Sequence, residues 1–355
     1  MNKTDQLSVK PSLRNVVLPL LLALFAVATI PASPLAADGN YHLLRKVVLG
    51  GEGFWDYLTC DGAARRVYIS RGTHVMVVDA DRYAVIGDIP GTEGVHGIAL
   101  APEFGRGFTS NGRTNTVTIF DLRTLKVLGT ASTGDGPDAI VYDPASKRVF
   151  TLNGRGGSAT AIDAASGKPL GTVTLGGKPE FAVADGQGHI YNNLEDKSEL
   201  LQIDSRRLTI TARWPLAPCE EPSGLALDSQ HRRLFAGCHN QMMAVVDAGS
   251  GKVLATPAIG QGVDANSFDP GTQLAFSSNG DGTLTVVRED SPEKFTPLAT
   301  VTTQRGARTM ALDLKTHKIF LVTAEFGPPP APTAEHPHPR PQAVPGSFTL
   351  LVYGP

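Results

Sequence analysis

Apolar and polar positions along the chain follow one unit that recurs seven times. In each unit an apolar stretch ends in Asp or an equivalent residue, and a short turn leads to a second apolar stretch. Successive turn residues lie 40 to 44 positions apart, at Asp61, Ala101, Asp143, Asp185, Asp228, Asp269 and Asp313. A fixed period of this length is typical of repeat architectures.

Each unit continues with a third apolar run and a fourth run. The third runs end at Asp79, Asp121, Asp163, Asp204 and Asp247, and clear fourth runs begin at Lys126, Lys168 and Lys252. Alternating or β-branched runs between Gly, Asp, Asn and Pro favour strands over helices. Four short strands per repeat predict an all-β, seven-bladed β-propeller with four-stranded blades.

The two ends of the chain complement each other. The seventh repeat stops after its third strand, at the segment 349–355, and a matching fourth strand begins at Leu43, ahead of the first repeat. We expect this N-terminal strand to complete the last blade, which would remove the exposed sheet edges that an open array would carry. Residues 38–355 are then one domain, and a monomer is expected.

Residues 111–140 and 153–180 resemble the YVTN family of β-propeller repeats, through NGRTNTVTIFDLRTLKVLGT and NGRGGSATAIDAASGKPLGT. The resemblance covers essentially the whole chain after the leader. It implies a propeller of a kind that is often exported, with some members similar to surface-layer components and one bacterial relative associated with DNA binding. The chain departs from the family pattern around Trp55, at Arg288 and in the insertion 325–347. A WD40 propeller is less favoured, because no repeat ends in Trp-Asp.

The N-terminal segment has the layout of a secretory signal peptide. Lys3, Lys10 and Arg14 precede an apolar run over 16–30, and small residues follow up to Ala37. We expect residues 1–37 to be removed and the protein to be periplasmic or secreted, with no integral membrane domain after cleavage. An uncleaved anchor is the alternative. Residues 38–355 carry 29 basic and 33 acidic side chains, so nucleic acid is not an expected partner.

Two of the three cysteines are placed to pair. Cys219 precedes the fifth repeat and Cys238 ends its second strand, which brings both to one rim of one blade. A disulfide is predicted, and two unpaired thiols are the alternative. Cys60 should be a lone core residue.

A polar residue begins each innermost strand, five positions before the turn residue. The set is Asp56, His96, Asp138, Glu180, Ser223, Asp264 and Arg308, and loops on the same face carry Arg113, Arg155 and His239. These positions predict a site for a small polar ligand or a protein partner at the mouth of the central channel. The carboxylates of Asp56, Asp138, Glu180 and Asp264 could also hold Ca²⁺ or another divalent metal. The alternative is a mouth that is only solvated.

The insertion 325–347 is rich in Pro and contains His336, His338 and Arg340. It favours an extended polyproline-like conformation, either as a solvent-exposed loop or as a strap across the mouth. The chain has no nucleophile elbow, phosphate loop or dinucleotide fingerprint. Binding is therefore the leading functional class. A metal-dependent, lactonase-like hydrolase is the first alternative and a structural envelope role is the second.

Overall fold

The computed structural model describes Met1, Leu7 and residues 39–51, 53–330 and 341–355. The chain divides into two compact units, 1–33 and 34–355, and the second contains all the strands given below. Apart from Met1 and Leu7, the predicted signal peptide lies outside the described residues, as do His336, His338 and Arg340 of the insertion. Within the described part of the chain no helix is long and apolar enough to cross a membrane.

The described residues form antiparallel sheets. One seven-stranded sheet has the order β2 (Leu58–Asp61), β3 (Arg66–Ser70), β4 (Gly72–Asp79), β5 (Val85–Ala101), β6 (Arg106–Asn111), β7 (Thr116–Asp121), β8 (Val127–Ser132). The next two sheets contain β9 (Pro137–Asp143), β10 (Arg148–Asn153), β11 (Ser158–Asp163) and β12 (Pro169–Thr174), then β13 (Pro179–Ala184), β14 (His189–Leu194), β15 (Glu199–Asp204) and β16 (Thr209–Pro215).

Three further sheets complete the domain. They contain β17 (Pro222–Asp228), β18 (Arg233–Cys238), β19 (Met242–Asp247) and β20 (Val253–Ala255), then β21 (Val263–Asp269), β22 (Leu274–Asn279), β23 (Thr283–Ser291) and β24 (Lys294–Thr302), then β25 (Met310–Asp313), β26 (Lys318–Thr323), β27 (Thr349–Gly354) and β1 (His42–Val48). The helical elements of the described residues are two 3-10 turns, Pro102–Phe104 and Glu195–Lys197. The all-β prediction is confirmed.

Strand β5 explains the seven-stranded sheet. Its first part pairs with β4 and its last part, from Val95, pairs with β6, so one long strand joins two repeats. The innermost strands β2, β5, β9, β13, β17, β21 and β25 contact one another in that order, and β25 also contacts β2. In the last sheet β1 pairs antiparallel with β27, with His42 opposite Gly354 and Val48 opposite Thr349.

The aspartates of the repeat pattern close the hairpins. At the end of β17, for example, the Asp228 carboxylate accepts hydrogen bonds from the backbone N–H groups of Gln230 and His231, at 3.0 and 3.2 Å. The Asp247 carboxylate at the end of β19 does the same for Gly249 and Ser250. Asp favours such turns because its short side chain reaches the backbone two or three residues later.

The hydrophobic core lies between neighbouring sheets. In one cluster Phe150 and Leu152 of β10 pack with Ile190 of β14 and Leu201 of β15, and all four side chains are fully buried. Burying a side chain of this size contributes about 1.5–3 kcal/mol. Second and third strands such as β10 and β11 are buried over almost their whole length, whereas an outer strand such as β12 is mostly exposed.

The predicted disulfide is confirmed. Cys219 and Cys238 are joined, with their Cα atoms 5.5 Å apart and a sequence separation of 19. Cys238 lies opposite Pro222 in the sheet, at the end of β17 where that innermost strand begins. Cys60 is a free thiol in β2, half-buried beside the core.

Candidate functional site

The polar residues at the start of the innermost strands converge on one cavity. It has a volume of about 570 Å³, and we call it the mouth cavity. All seven predicted ring positions line it. Its lining residues are Asp56, Tyr57, His96, Asp138, Lys178, Glu180, Glu195, Ser223, His239, Gln261, Gly262, Val263, Asp264 and Arg308.

Polar side chains near the ends of second strands hold the mouth residues of the following repeat in place. Ser110 of β6 donates a hydrogen bond to the backbone carbonyl of Asp138. Ser278 of β22 donates in the same way to the carbonyl of Arg308. At β14 the donor is a side-chain amide, since Asn193 donates a hydrogen bond to the backbone carbonyl of Ser223 at 2.9 Å. Each hydrogen bond joins neighbouring sheets and holds the backbone of a mouth residue, so the positions from which the mouth side chains extend are fixed.

His96 lies between two carboxylates. Its Nδ1 atom is 2.6 Å from Asp56 Oδ2 and 3.5 Å from Asp138 Oδ1. Burial opposes the charged imidazolium, but the hydrogen bond with Asp56 and the charges of Asp138, Asp56 and Glu180 outweigh it. Together these groups raise the pKa of His96 to about 9. His96 is therefore a cation at neutral pH.

A second group of charges surrounds Lys178. Its Nζ atom is 2.8 Å from Glu180 Oε1 and also contacts the carboxylate of Glu195. Burial, followed by the charge of Asp138, raises the pKa of Glu180 to about 8, while Lys178 opposes the shift. Burial is also the main cause that raises the pKa of Asp138. Glu180 is therefore largely protonated at neutral pH, which reduces the negative charge of this wall.

The third group contains Ser223, Asp264 and Arg308. Ser223 Oγ donates to Asp264 Oδ1 at 3.0 Å, and Arg308 Nε lies 2.9 Å from Asp264 Oδ2. Burial raises the pKa of Asp264, and Arg308 opposes that shift. The charge of Asp264 in turn raises the pKa of Arg308. Tyr57, which also lines the mouth cavity, is buried and packs edge-on against Phe181, with ring centroids 5.1 Å apart.

The three predicted loop residues take different positions. Arg113 and Arg155 do not line the mouth cavity. Arg155 instead binds the carboxylate of Asp135 at 3.1 Å and the carbonyl of Gly112 at 2.8 Å. His239 does line it, and its Nδ1 atom is 3.2 Å from the Glu221 carboxylate.

Lys178 and Glu195 were missed by the sequence analysis. Lys178 precedes Glu180 by two positions, and residues two apart in an extended segment point to the same side, so the period of the strand could have found it. Glu195 begins the 3-10 turn after β14 and had no such signal. These two residues add one cation and one anion to the predicted ring.

The mouth charges are largely compensated by one another. Five lining carboxylates face Lys178, Arg308 and the charged His96, which leaves a local net charge of about −2 before the protonation of Glu180 is considered. The candidate metal ligands are Asp56, His96 and Asp138, whose ligand atoms lie within 4.8 Å of one another. For a metal to bind there, His96 would have to lose its proton, because a metal ligand must be the neutral imidazole.

Neither a protein-family model nor a curated protein matches the sequence. The fold is similar to several solved structures. The crystal structure of the RRP9 WD40 repeats has 9% identity and a TM-score of 0.70, with 89% of this chain and 98% of that chain covered. A chain of the mitotic checkpoint complex has 13% identity and a TM-score of 0.71, covering 97% and 99%. Hydrazine synthase of Kuenenia stuttgartiensis has 12% identity and a TM-score of 0.66, covering 82% and 95%. The chain is a β-propeller.

Proposed function

We propose that this β-propeller is an exported binding protein of the YVTN type, with a site for a small polar ligand in the mouth cavity. The observation that carries the proposal is convergence. The ring positions of all seven repeats place polar side chains on a single cavity, whose volume of about 570 Å³ is in the range of small-molecule sites.

The chemistry of the mouth cavity favours a ligand that offers hydroxyl groups or a cationic group. Each cation of the wall lies beside a carboxylate, so donors and acceptors are presented side by side. The remaining charge is negative, which attracts a cation and disfavours a strongly anionic ligand. Arg308 and Lys178 are each engaged by a carboxylate, and a competing anion would have to displace it.

Native mass spectrometry of the protein purified from its own cell envelope tests this proposal. The protein is compared with a variant carrying Asp138→Asn, Glu180→Gln and Asp264→Asn. We expect the wild type to carry a small polar species that the variant loses while keeping its fold. Asp88→Asn with Glu293→Gln is the matched control, since both side chains are exposed outside the mouth cavity. Retention of the species in the triple variant, or its loss in the control, would place the function elsewhere.

A metal-dependent hydrolase is the second candidate, and the close approach of Asp56, His96 and Asp138 is the observation that favours it. Metal analysis at about pH 9, where His96 is half-deprotonated, tests it directly. Stoichiometric Ca²⁺ or Zn²⁺ that His96→Gln abolishes would support this function. An unchanged metal content in that variant would contradict it.

A protein partner is the other occupant that the mouth could take. One of the similar structures comes from a multiprotein assembly, the mitotic checkpoint complex. Co-purification from the envelope after crosslinking distinguishes a partner from a small ligand.

The proposed architecture is a ring of seven four-stranded blades in which β1 completes the last blade. It is supported by the order of contacts among the innermost strands, by the two repeats that share β5, and by the pairing of β1 with β27. Deleting residues 41–50 would leave β27 as an open edge and remove the buried Tyr41 from the core. We expect the deletion to lower the free energy of unfolding by several kcal/mol. Because each kcal/mol lowers the melting temperature of a large domain by a few degrees, the melting temperature should fall by more than about 10 °C. An unchanged melting temperature would rule out this closure.

A further inference from the structure

A second and larger cavity lies beside the mouth cavity. It has a volume of about 850 Å³, and we call it the aromatic cavity. It is formed by the segment that enters the first repeat, the end of the last repeat and the base of the insertion. Its described lining residues are Gly51, Gly53, Phe54, Trp55, Arg71, Gly262, Gly280, Arg305, Gly306, Arg308, Ala324, Phe326, Pro341, Ala343, Val344, Pro345, Gly346 and Phe348.

Four aromatic rings form one side of the aromatic cavity. Trp55 packs between Phe348 and Phe326, with ring centroids 5.3 and 6.2 Å away. Phe54 and Phe326 keep 54% and 39% of their surface exposed. Exposed aromatic rings that line a cavity are available to a ligand, because their apolar surface is not used by the core.

Backbone contacts fix the aromatic wall. Gly53 has a φ of +91°, and a side chain there would come 2.7 Å from the carbonyl oxygen of Arg71. Gly306 has a φ of +80°, and a side chain there would meet the Phe326 ring at 2.8 Å. The base of the insertion is held by hydrogen bonds of 2.9 and 2.7 Å, from Gly327 N to Gln342 O and from Val344 N to Glu325 O.

Three arginines line the aromatic cavity. Arg71 is fully buried, and its guanidinium carbon lies 3.5 Å from the centroid of the Phe348 ring. Burial lowers the pKa of Arg71 to about 10, so it stays charged at neutral pH. Arg305 is exposed, and Arg308 lies on the boundary because it lines both cavities.

The described linings of the two cavities differ in their acidic residues. The mouth cavity contains five carboxylates, whereas no acidic residue occurs among the described lining residues of the aromatic cavity. The exposed guanidinium of Arg305 beside the aromatic rings matches a ligand with a planar apolar body and an anionic group, whereas Arg308 is engaged by Asp264 and Arg71 is fully buried. Arg recognises a carboxylate through two parallel hydrogen bonds, and its planar group also stacks on aromatic rings.

We propose that the aromatic cavity is a second binding site, which takes a small aromatic carboxylate. The aromatic body packs against Phe54, Trp55 and Phe326, and the carboxylate binds at the exposed Arg305. This site is separate from the proposed polar site, because its ligand has the opposite charge and a different body.

Isothermal titration of the full protein with 2-naphthoate tests the proposal. Two analogues with the same ring system are titrated beside it, neutral 2-naphthalenemethanol and cationic 2-naphthylmethylamine. We expect 2-naphthoate to bind at least about tenfold more tightly than the alcohol, because a charge-assisted hydrogen bond contributes enough for a tenfold difference in affinity. We expect the amine to bind more weakly still.

Two variants and one control locate the site. Arg305→Gln should weaken 2-naphthoate at least about fivefold and leave the alcohol unchanged, since only the anionic group uses the guanidinium. Phe326→Leu should weaken both. Arg113→Gln is the matched control, an exposed arginine that lines neither cavity, and it should change nothing. Equal affinity for the three probes, no binding of 2-naphthoate, or equal effects of Arg305→Gln and Arg113→Gln would each overturn the proposal.

Discussion

Two histidines of this propeller lie between two carboxylates, at opposite ends of the innermost strands. His96 contacts Asp56 and Asp138 in the mouth cavity. His231 contacts Asp228 and Glu289 at the other end, and its single Nδ1 atom lies 2.7 Å from the Asp228 carboxylate and 2.9 Å from that of Glu289. We call the second group the turn-end cluster. Strand β17 shows the geometry, since Ser223 lies near its start and Asp228 at its end.

The two clusters differ in burial and in what their partners do. The side chains of Asp228 and Glu289 are 1% and 0% exposed, against 15% and 26% for Asp56 and Asp138. Asp228 also closes a turn of its own repeat, while Glu289 belongs to the following repeat, so His231 bridges two sheets. An imidazole between two carboxyl groups therefore forms a structural link in the enclosed turn-end cluster and a candidate site in the mouth cavity.

Replacing the two histidines separately should break this resemblance, with the larger effect at the turn-end cluster. His231→Gln removes the ring that contacts both enclosed carboxyl groups, and leaving a buried polar group without its partner typically costs about 1–3 kcal/mol. We expect a loss of about 2 kcal/mol in the free energy of unfolding, measured by urea denaturation at neutral pH.

The double variant His231→Gln with Glu289→Gln is the matched control. It also replaces the enclosed carboxyl group that His231→Gln leaves without a partner, so most of the lost stability should return. If His96→Gln costs as much as His231→Gln, the division into a structural cluster and a candidate site is wrong.

The pH dependence of His96 gives the next effect in size. Because its folded pKa of about 9 lies above its ordinary value of 6.5, the native state holds this proton more tightly than the unfolded chain does. The stabilisation is fully present below about pH 6.5 and is lost as the pH rises through about 9. His96 is 30% exposed, so after allowing for solvent screening we expect about 1 kcal/mol. Urea midpoints for wild type and His96→Gln, taken across this range, should converge at the alkaline end; parallel curves would contradict the assignment.

Much of the fold could be predicted from the sequence, because each of the seven repeats carries the same pattern of strand and turn residues. The Asp at the end of a strand, the turn after it and the buried second strand recur, and the shared frame also placed Cys219 beside Cys238. The ring positions followed from the same frame, since one register aligns all seven. The partners of the ring residues could not be predicted in the same way. Lys178, which contacts Glu180, also contacts Glu195, and Glu195 lies in a turn that the repeat does not encode.

The aromatic cavity was not predictable for a related reason. Trp55 lies where the first repeat departs from the pattern, and Phe326 lies in the insertion, so neither had a repeat position from which its location could be inferred. Phe348 follows the insertion directly. Residues that belong to no repeat are brought together only where the two ends of the domain meet.

Glu180→Gln is expected to have the smallest effect on stability and sharpens the account of the mouth. Burial and the charge of Asp138 raise the pKa of Glu180 to about 8 from its ordinary 4.5, so the native state binds this proton more tightly. The wild type therefore loses stability as the pH rises between about 4.5 and 8, whereas the neutral glutamine cannot. Lys178 keeps its second partner, Glu195, in the variant.

We therefore expect thermal melting to show less than about 1 kcal/mol of difference at about pH 6 and a variant more stable than the wild type at about pH 9. Asp88→Asn, an exposed carboxylate outside the mouth cavity, should show no such crossover. A larger loss in Glu180→Gln at the lower pH would mean that Glu180 is ionised there and that its ion pair with Lys178 holds the wall of the mouth. The polar ligand would then meet a carboxylate at this position and not a proton donor.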